Sequence, residues 1–449
     1  MDFGRIFTLV LTALGVSVGW FNPVMGLMVY TAFSLLRPSA LWFWSFTGAE
    51  RYTMLVAAST LIGWGISGFG GGAAIRPVAV PMFGLGLYLL NGFMAAKFWS
   101  ISQVRAMESW TVQFKIGLMC LVTLMIVREA KHIRTYAWVL TACLGYLAYV
   151  FNSQYVFDGW NRIYFRGFGG VDNNGVGMIM VMGVPLCFFM GIHDKRTWVR
   201  ALCLFGAICL VHVVLFSFSR GAQLGLCMVG FALFWVALFK LPNKMLTLVL
   251  ALVFVLITLR LAGAEVREEF WSIFVDAEER DASAASRFDT WSGAWACMLD
   301  NPLGVGPRNF NLVSHNYGLS KNKSVHNLML QTGADYGIPG MLGLVTFYVG
   351  TMWQTWRMAG SRTAGRHVWP RYFGHMVFIS LGGFLVCSTF IGMESVDAGY
   401  IIALLGLCTV SFVHRMGSAE PVEATHQLPE LQEVPAPGEY EPALAYSRG

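Results

Sequence analysis

Residues 174–220 read NGVGMIMVMGVPLCFFMGIHDKRTWVRALCLFGAICLVHVVLFSFSR. Two apolar runs, at about 174–192 and 197–217, flank a short loop that carries Lys195, Arg196 and Arg200. An α-helix crosses the hydrocarbon core of a bilayer in about 20 residues and a barrel strand in about 10, so runs of this length read as membrane helices. The same pattern recurs at about 52–66, 77–96, 110–127, 135–151, 222–240, 244–262, 338–356, 372–392 and 397–413. Residues 5–36 add one more apolar stretch, interrupted at Asn22-Pro23. It reads either as one kinked span or as a hairpin of two, because proline breaks a helix interior. The fold class expected is all-α: a polytopic transmembrane helical bundle of twelve or thirteen spans, twelve with both chain ends inside being favoured.

Composition agrees. Hydrophobic residues make up 56 % of the 449, and charged residues only 12 %, against about 25 % charged in an ordinary soluble domain. So few charges cannot cover a soluble surface of this size. A cytosolic globular enzyme, a disordered chain and a disulfide-stapled module are excluded. The N-terminus lacks the basic start and small-residue cleavage site of a signal peptide, so the first span is expected to be retained. Eight of the nine cysteines fall in apolar runs, and only Cys297 lies in a loop. They read as small buried hydrophobes. No CxxC or HExxH spacing suggests a metal, no GxxxxGK[ST] run suggests ATP, and no DxD pair suggests a metal-bound sugar nucleotide. The net charge of +6 is spread along loops and reads as topology, with no nucleic-acid partner.

Lys/Arg bias orients the spans. The loops 128–134, 193–200 and 357–371, with Lys240 and Lys244 at a further turn, alternate consistently and are expected to be cytoplasmic. The opposite face then holds 152–173, 218–221, the long segment 263–337 and 393–396. Arg37, Arg51, Arg76, Lys97 and Arg105 show no bias. The chain divides into helices with short loops at 1–262, an outer loop at 263–337, further helices at 338–416, and a tail at 417–449. That tail, with five prolines and six glutamates, reads as disordered and cytoplasmic.

The outer face carries the chemistry. In the long segment, Phe288, Trp291, Trp295 and Met298 recur at spacings of three and four, which predicts one helix face with Ser286 as its N-cap. Arg287 lies in its first turn, and Arg308 follows the turn Gly304, Gly306, Pro307. Arg220 sits in Ser219-Arg220-Gly221, where positive-inside bias disfavours an arginine and the small neighbours let a polar ligand approach. Arg166 precedes a glycine-rich loop ending in Asp172-Asn173, either of which can simply cap the next helix. His326-Asn327 stands immediately before an apolar helix. The bland alternative for each arginine is a side chain snorkelling to the interface. Arginines suit phosphate, and histidine can take a proton from a hydroxyl. An outward site without ATP needs an activated substrate, and a lipid-linked pyrophosphate meets that need.

These motifs, in this order, resemble the O-antigen ligase and polymerase superfamily of bacterial inner-membrane glycosyltransferases. The matching pieces are Ser219-Arg220-Gly221, the run from Ser286-Arg287 through Trp291 to Asn301-Pro302-Leu303-Gly304-Val305-Gly306, and His326-Asn327 leading to Gly337-Ile338-Pro339-Gly340. The first 175 residues look similar to the ligase-like branch. The resemblance implies an inner-membrane enzyme whose periplasmic loop covers an outward site. It implies a donor glycan on undecaprenyl pyrophosphate, inversion at the anomeric carbon, and no metal or other cofactor. His326 would be the catalytic base, and Arg220 and Arg287 the pyrophosphate clamp. Arg166 and Arg308 would be weaker members, and Asn327, Asp172 and Asn173 supporting residues. The acceptor stays open among a lipid A–core sugar, protein Ser/Thr and another glycan. A polymerase of the same superfamily is the alternative. Two other classes, a lipid-linked glycan transporter or flippase and a non-catalytic assembly subunit, fit less well: no internal repeat is visible, and the charges cluster on one face.

Overall fold

The computed structural model describes residues 3–46, 51–69, 75–240, 244–245, 260, 282–366, 368–392 and 396–425. Its regular structure is helical, and the one β-bridge, Phe168 to Val171, is isolated. Eight helices among the described residues are long and apolar enough to cross a membrane. The chain is a polytopic helical bundle. The run expected at 244–262 lies outside the described residues but for positions 244, 245 and 260.

The N-terminal stretch is a hairpin. Helix α1 (Phe3–Phe21) stops and α2 (Pro23–Leu36) starts across Asn22, whose side chain accepts from Met25 N at 3.3 Å while Pro23 opens the helix. A short α3 (Pro38–Leu41) and α4 (Tyr52–Ile66) follow. A side chain at Gly15 would meet Val29, one at Gly26 would meet Thr60, and one at Gly63 the backbone of Gly19. In lipid, such small-residue contacts and close backbone approach drive helix pairing.

Next come α5 (Ala79–Met94), α6 (Gln103–Ile126), α7 (Ala130–Phe157) and the short α8 (Arg162–Arg166). Then α9 (Asn173–His193), α10 (Thr197–Phe216) and α11 (Arg220–Lys240) run in series. Beyond the undescribed stretch lie α12 (Ala282–Asp300), α13 (Phe310–Val313), α14 (Leu328–Ala359), α15 (Arg362–Arg366), α16 (Val368–Ser388) and α17 (Asp397–Thr425). Helix α9 is apolar all round and central: Val176, Met178, Val181, Met182, Leu186 and Phe189 are all buried. Helix α1, at the rim, exposes Phe7, Leu9, Val10 and Leu14 to lipid.

The Lys/Arg-rich loops gather at one end of the bundle. Arg134 lies over the Trp369 ring at 5.0 Å, His193 stacks on Tyr372 at 4.0 Å, and Arg415 donates to Arg128 O at 2.6 Å. The segments expected on the opposite face gather at the other end. There Asn173 donates to Ser217 O at 2.8 Å, and Trp291 lies 6.2 Å from Phe390.

Two expectations need correction. Phe3 and Phe7 pack on Trp42 at 6.4 and 5.6 Å, and Arg162 donates to Ala40 O and Leu41 O. Phe3 therefore lies at the end that holds α8, while α17 runs to the Arg128 end. The two ends of the described chain do not share a face, because the Asn22 break adds a helix. Second, α17 continues to Thr425, inside the stretch from 417 read as tail, since composition alone does not mark a helix stop. Residues 426–449 lie outside the described residues.

Candidate functional site

The site is built around a kink. Helix α14 breaks at Gly337, with φ 71 and ψ 179, a conformation open in practice only to glycine. The break frees backbone groups, and the turn after α12 takes them up. Ile338 N donates to Pro302 O at 2.8 Å, Val305 N to Ala334 O at 3.0 Å, and Gly306 N to Asp335 O at 2.9 Å. Gly304, at φ 85, packs directly on Asp335, Tyr336 and Gly337. Asn91 donates to Tyr336 O and, at 3.4 Å, to Leu303 O, while Trp99 Nε1 donates to Gly304 O at 3.0 Å. The two glycine-rich motifs, over 30 residues apart in sequence, are thus two sides of one joint.

The first arm of α14 carries a polar chain. Asp335 is buried; its carboxylate accepts Phe310 N at 2.7 Å and Gln331 Nε2 at 2.7 Å. Gln331 Oε1 in turn accepts Val325 N at 3.2 Å, and Val325 O accepts Trp291 Nε1 at 3.1 Å. Next in the chain is His326, with φ 50, a left-handed conformation that costs a non-glycine residue roughly 1–2 kcal/mol. Asn327 caps α14, accepting Leu330 N at 3.1 Å. Gly392 lies close against the His326 and Asn327 backbone. Burial, and then the Arg287 guanidinium, hold the His326 imidazolium below the usual 6.5, while Asp172 pulls the other way.

Arg287 and Asp172 therefore each lie within electrostatic reach of His326. Helix α12 starts at Ala282, so Ser286 lies inside it and is not its N-cap. Its buried face shares only part of the expected stripe. Thr290, Ala294, Cys297 and Met298 are buried, whereas Phe288 and Trp295 are exposed. Phe288 and Trp295 mark an exposed stripe, while Trp291 is half-buried against the cluster that holds Val325.

Arg220 opens α11 after a tight turn in which Phe218 has φ 53 and Ser219 Oγ accepts Ala222 N at 3.3 Å. Asn173 and Asn161 hold this turn by donating to Ser217 O and Phe216 O. Gly221 packs on Phe390, the ring that also meets Trp291, so the Arg220 turn and the Arg287 helix converge on one loop. Asp172 caps α9 through Gly175 N at 2.8 Å.

Arg166 stands apart from these contacts. It is exposed and lies over Phe43 and Trp160 at 5.7 and 5.8 Å. Arg308 is exposed with φ 57, and its backbone N–H points to the Asp335 carboxylate. Sequence reasoning missed Arg162, buried over the same two rings, and the Arg37–Asp397 ion pair at 3.5 Å. It missed Gln331 as well. Arg37 precedes a proline at a helix break, which was the available signal.

One related protein, the Teichuronic acid biosynthesis protein TuaE of Bacillus subtilis (strain 168), is 22 % identical over 169 residues. The match covers 35 % of this chain and 34 % of that protein, so it spans about a third of the relative's length. A family model described as O-Antigen ligase matches residues 205–345. The segment that holds Arg220, Arg287 and His326 thus matches the O-antigen ligase family, the same family that its motifs resemble.

Proposed function

We propose that this multi-pass membrane protein is a glycosyltransferase that moves a glycan from undecaprenyl pyrophosphate to an acceptor hydroxyl. The observation that carries the reading is a half-buried histidine, kept neutral near pH 7 by burial and by Arg287, at the end where the Arg220 turn also converges. The acceptor oxygen attacks the anomeric carbon. The bond from that carbon to the pyrophosphate oxygen breaks, the hydroxyl proton passes to the His326 ring, and the lipid pyrophosphate leaves as an anion beside Arg220 and Arg287. Because Lys/Arg-rich loops mark the cytoplasmic side, the His326 end faces the periplasm of a bacterial inner membrane in this reading.

The relative is named for teichuronic acid biosynthesis. That favours a second reading for the acceptor, another lipid-linked glycan, alongside a lipid A–core sugar or protein Ser/Thr. The test mixes purified full chain with lipid-linked glycan and each acceptor class, with a chelator present and no ATP. Transfer to one class is expected. His326→Ala should abolish it, and Arg220→Ala and Arg287→Ala should each cost roughly 2–4 kcal/mol of transition-state stabilisation, with lysine only a partial substitute. Wild-type turnover in His326→Ala would remove the base from this position.

A further inference from the structure

We propose that Trp291 and Gln331 are positioning residues for His326, acting through the peptide groups of Val325. This rests on the reading of His326 as the base. The residue before the histidine is held on both sides: its N–H donates to Gln331 Oε1 at 3.2 Å and its C=O accepts Trp291 Nε1 at 3.1 Å. Gln331 is not free to turn away. An ionised carboxylate only accepts, so Asp335 demands the NH₂ side of Gln331 and leaves Oε1 for Val325. Asp335 is itself fixed by Phe310 N at 2.7 Å. A left-handed non-glycine residue persists where its surroundings over-determine it, and His326 follows directly on this doubly held peptide.

Trp291 lies four residues after Arg287, on the same side of α12. One rigid helix therefore carries both a member of the anion clamp and the hook on the base's backbone. The spacing between base and clamp is set by α12, and not by the irregular stretch before Val325.

Trp291→Phe keeps an aromatic side chain of smaller size and deletes the indole N–H. Gln331→Met keeps the shape and deletes both hydrogen bonds, and serves if the first variant fails to fold. In purified full chain without substrate, amide exchange across Val325–His326 is expected to quicken in both variants. Unchanged exchange would overturn the proposal and does not depend on any activity. With lipid-linked glycan donor, Trp291→Phe should lower turnover about tenfold, the equivalent of one lost hydrogen bond of about 1.4 kcal/mol, with donor KM little changed. The same change placed in His326→Gln should cost nothing further, because residues acting as a unit are not additive. Equal losses in both backgrounds would mean that Trp291 merely supports the loop and would overturn the proposal. If His326→Gln alone transfers at the wild-type rate, the base assignment falls, while the exchange result still judges the hook.

Discussion

Substituting Gly337 by alanine tests the joint on which the site is built. At φ 71 and ψ 179 the residue occupies a region that a side chain excludes, which costs of order 1–3 kcal/mol. The added methyl would lie 2.6 Å from Gly304 N, with Leu303 C and Pro302 O nearer still. All three are backbone atoms, so no rotamer change relieves the clash. The turn must instead separate from the kink and break the Ile338–Pro302, Val305–Ala334 and Gly306–Asp335 hydrogen bonds, each worth about 0.5–1.5 kcal/mol. The expected loss is roughly 3–6 kcal/mol, a large part of the ~5–15 kcal/mol that usually separates folded from unfolded chains. Gly145→Ala in α7 and Gly230→Ala in α11 are the controls, since nothing lies within 4 Å of a Cβ at either position. Mid-helix, that change gains about 0.5–1 kcal/mol. Unfolding by a denaturing detergent titrated into mixed micelles compares the three. Equal resistance of Gly337→Ala and Gly145→Ala would refute the reasoning.

The acid limb of the transfer rate should lie below pH 6.5, because burial and Arg287 both disfavour the His326 cation. Arg287→Gln should move the limb upward, and a limb that stays put in residual activity would break the link between the two residues. The sign for stability is the same: a histidine depressed in the folded state contributes stability that is present at neutral pH and lost as pH falls through its folded pKa. For sidedness, Ser320→Cys and Ser418→Cys both sit at exposed positions. In a cysteine-free parent on intact cells, an impermeant thiol reagent should label position 320 and spare 418; the reverse pattern would invert the topology.

Composition and run length were enough for the fold class, because a bilayer imposes both. The partition of loops between two ends was also legible, since Arg128, Arg134, Arg196 and Arg371 follow a simple electrostatic bias. The first quarter was not. The Asn22 break could be a kink or a turn, and only the packing of Gly15 on Val29 shows a hairpin. That extra helix puts the two ends of the described chain on opposite faces. At the site, the arginines stood out against the Lys/Arg bias of segments expected outside, and the histidine as a proton acceptor before an apolar helix. Gln331 did not, because a polar residue in the first turn of a helix looks solvated until its partners, Val325 N and the Asp335 carboxylate, are placed around it. The spacing in α12 found a stripe but did not say which of its residues the protein covers: Met298 is buried, whereas Phe288 and Trp295 are exposed.

The union of the Pro302–Gly306 turn with the Gly337 kink bears on how such proteins exchange parts. A long outer segment invites treatment as a cassette, to be swapped between relatives to alter acceptor choice. Here the segment is spliced into the bundle at two seams, with Asn91 of α5 and Trp99 just beyond that helix completing the joint. A functional chimera must carry residues near 91–99, 301–306 and 334–340 as one inheritance unit. Among the described residues, the exposed positions around Gly318 and Ser320 lie away from both seams and suit insertion.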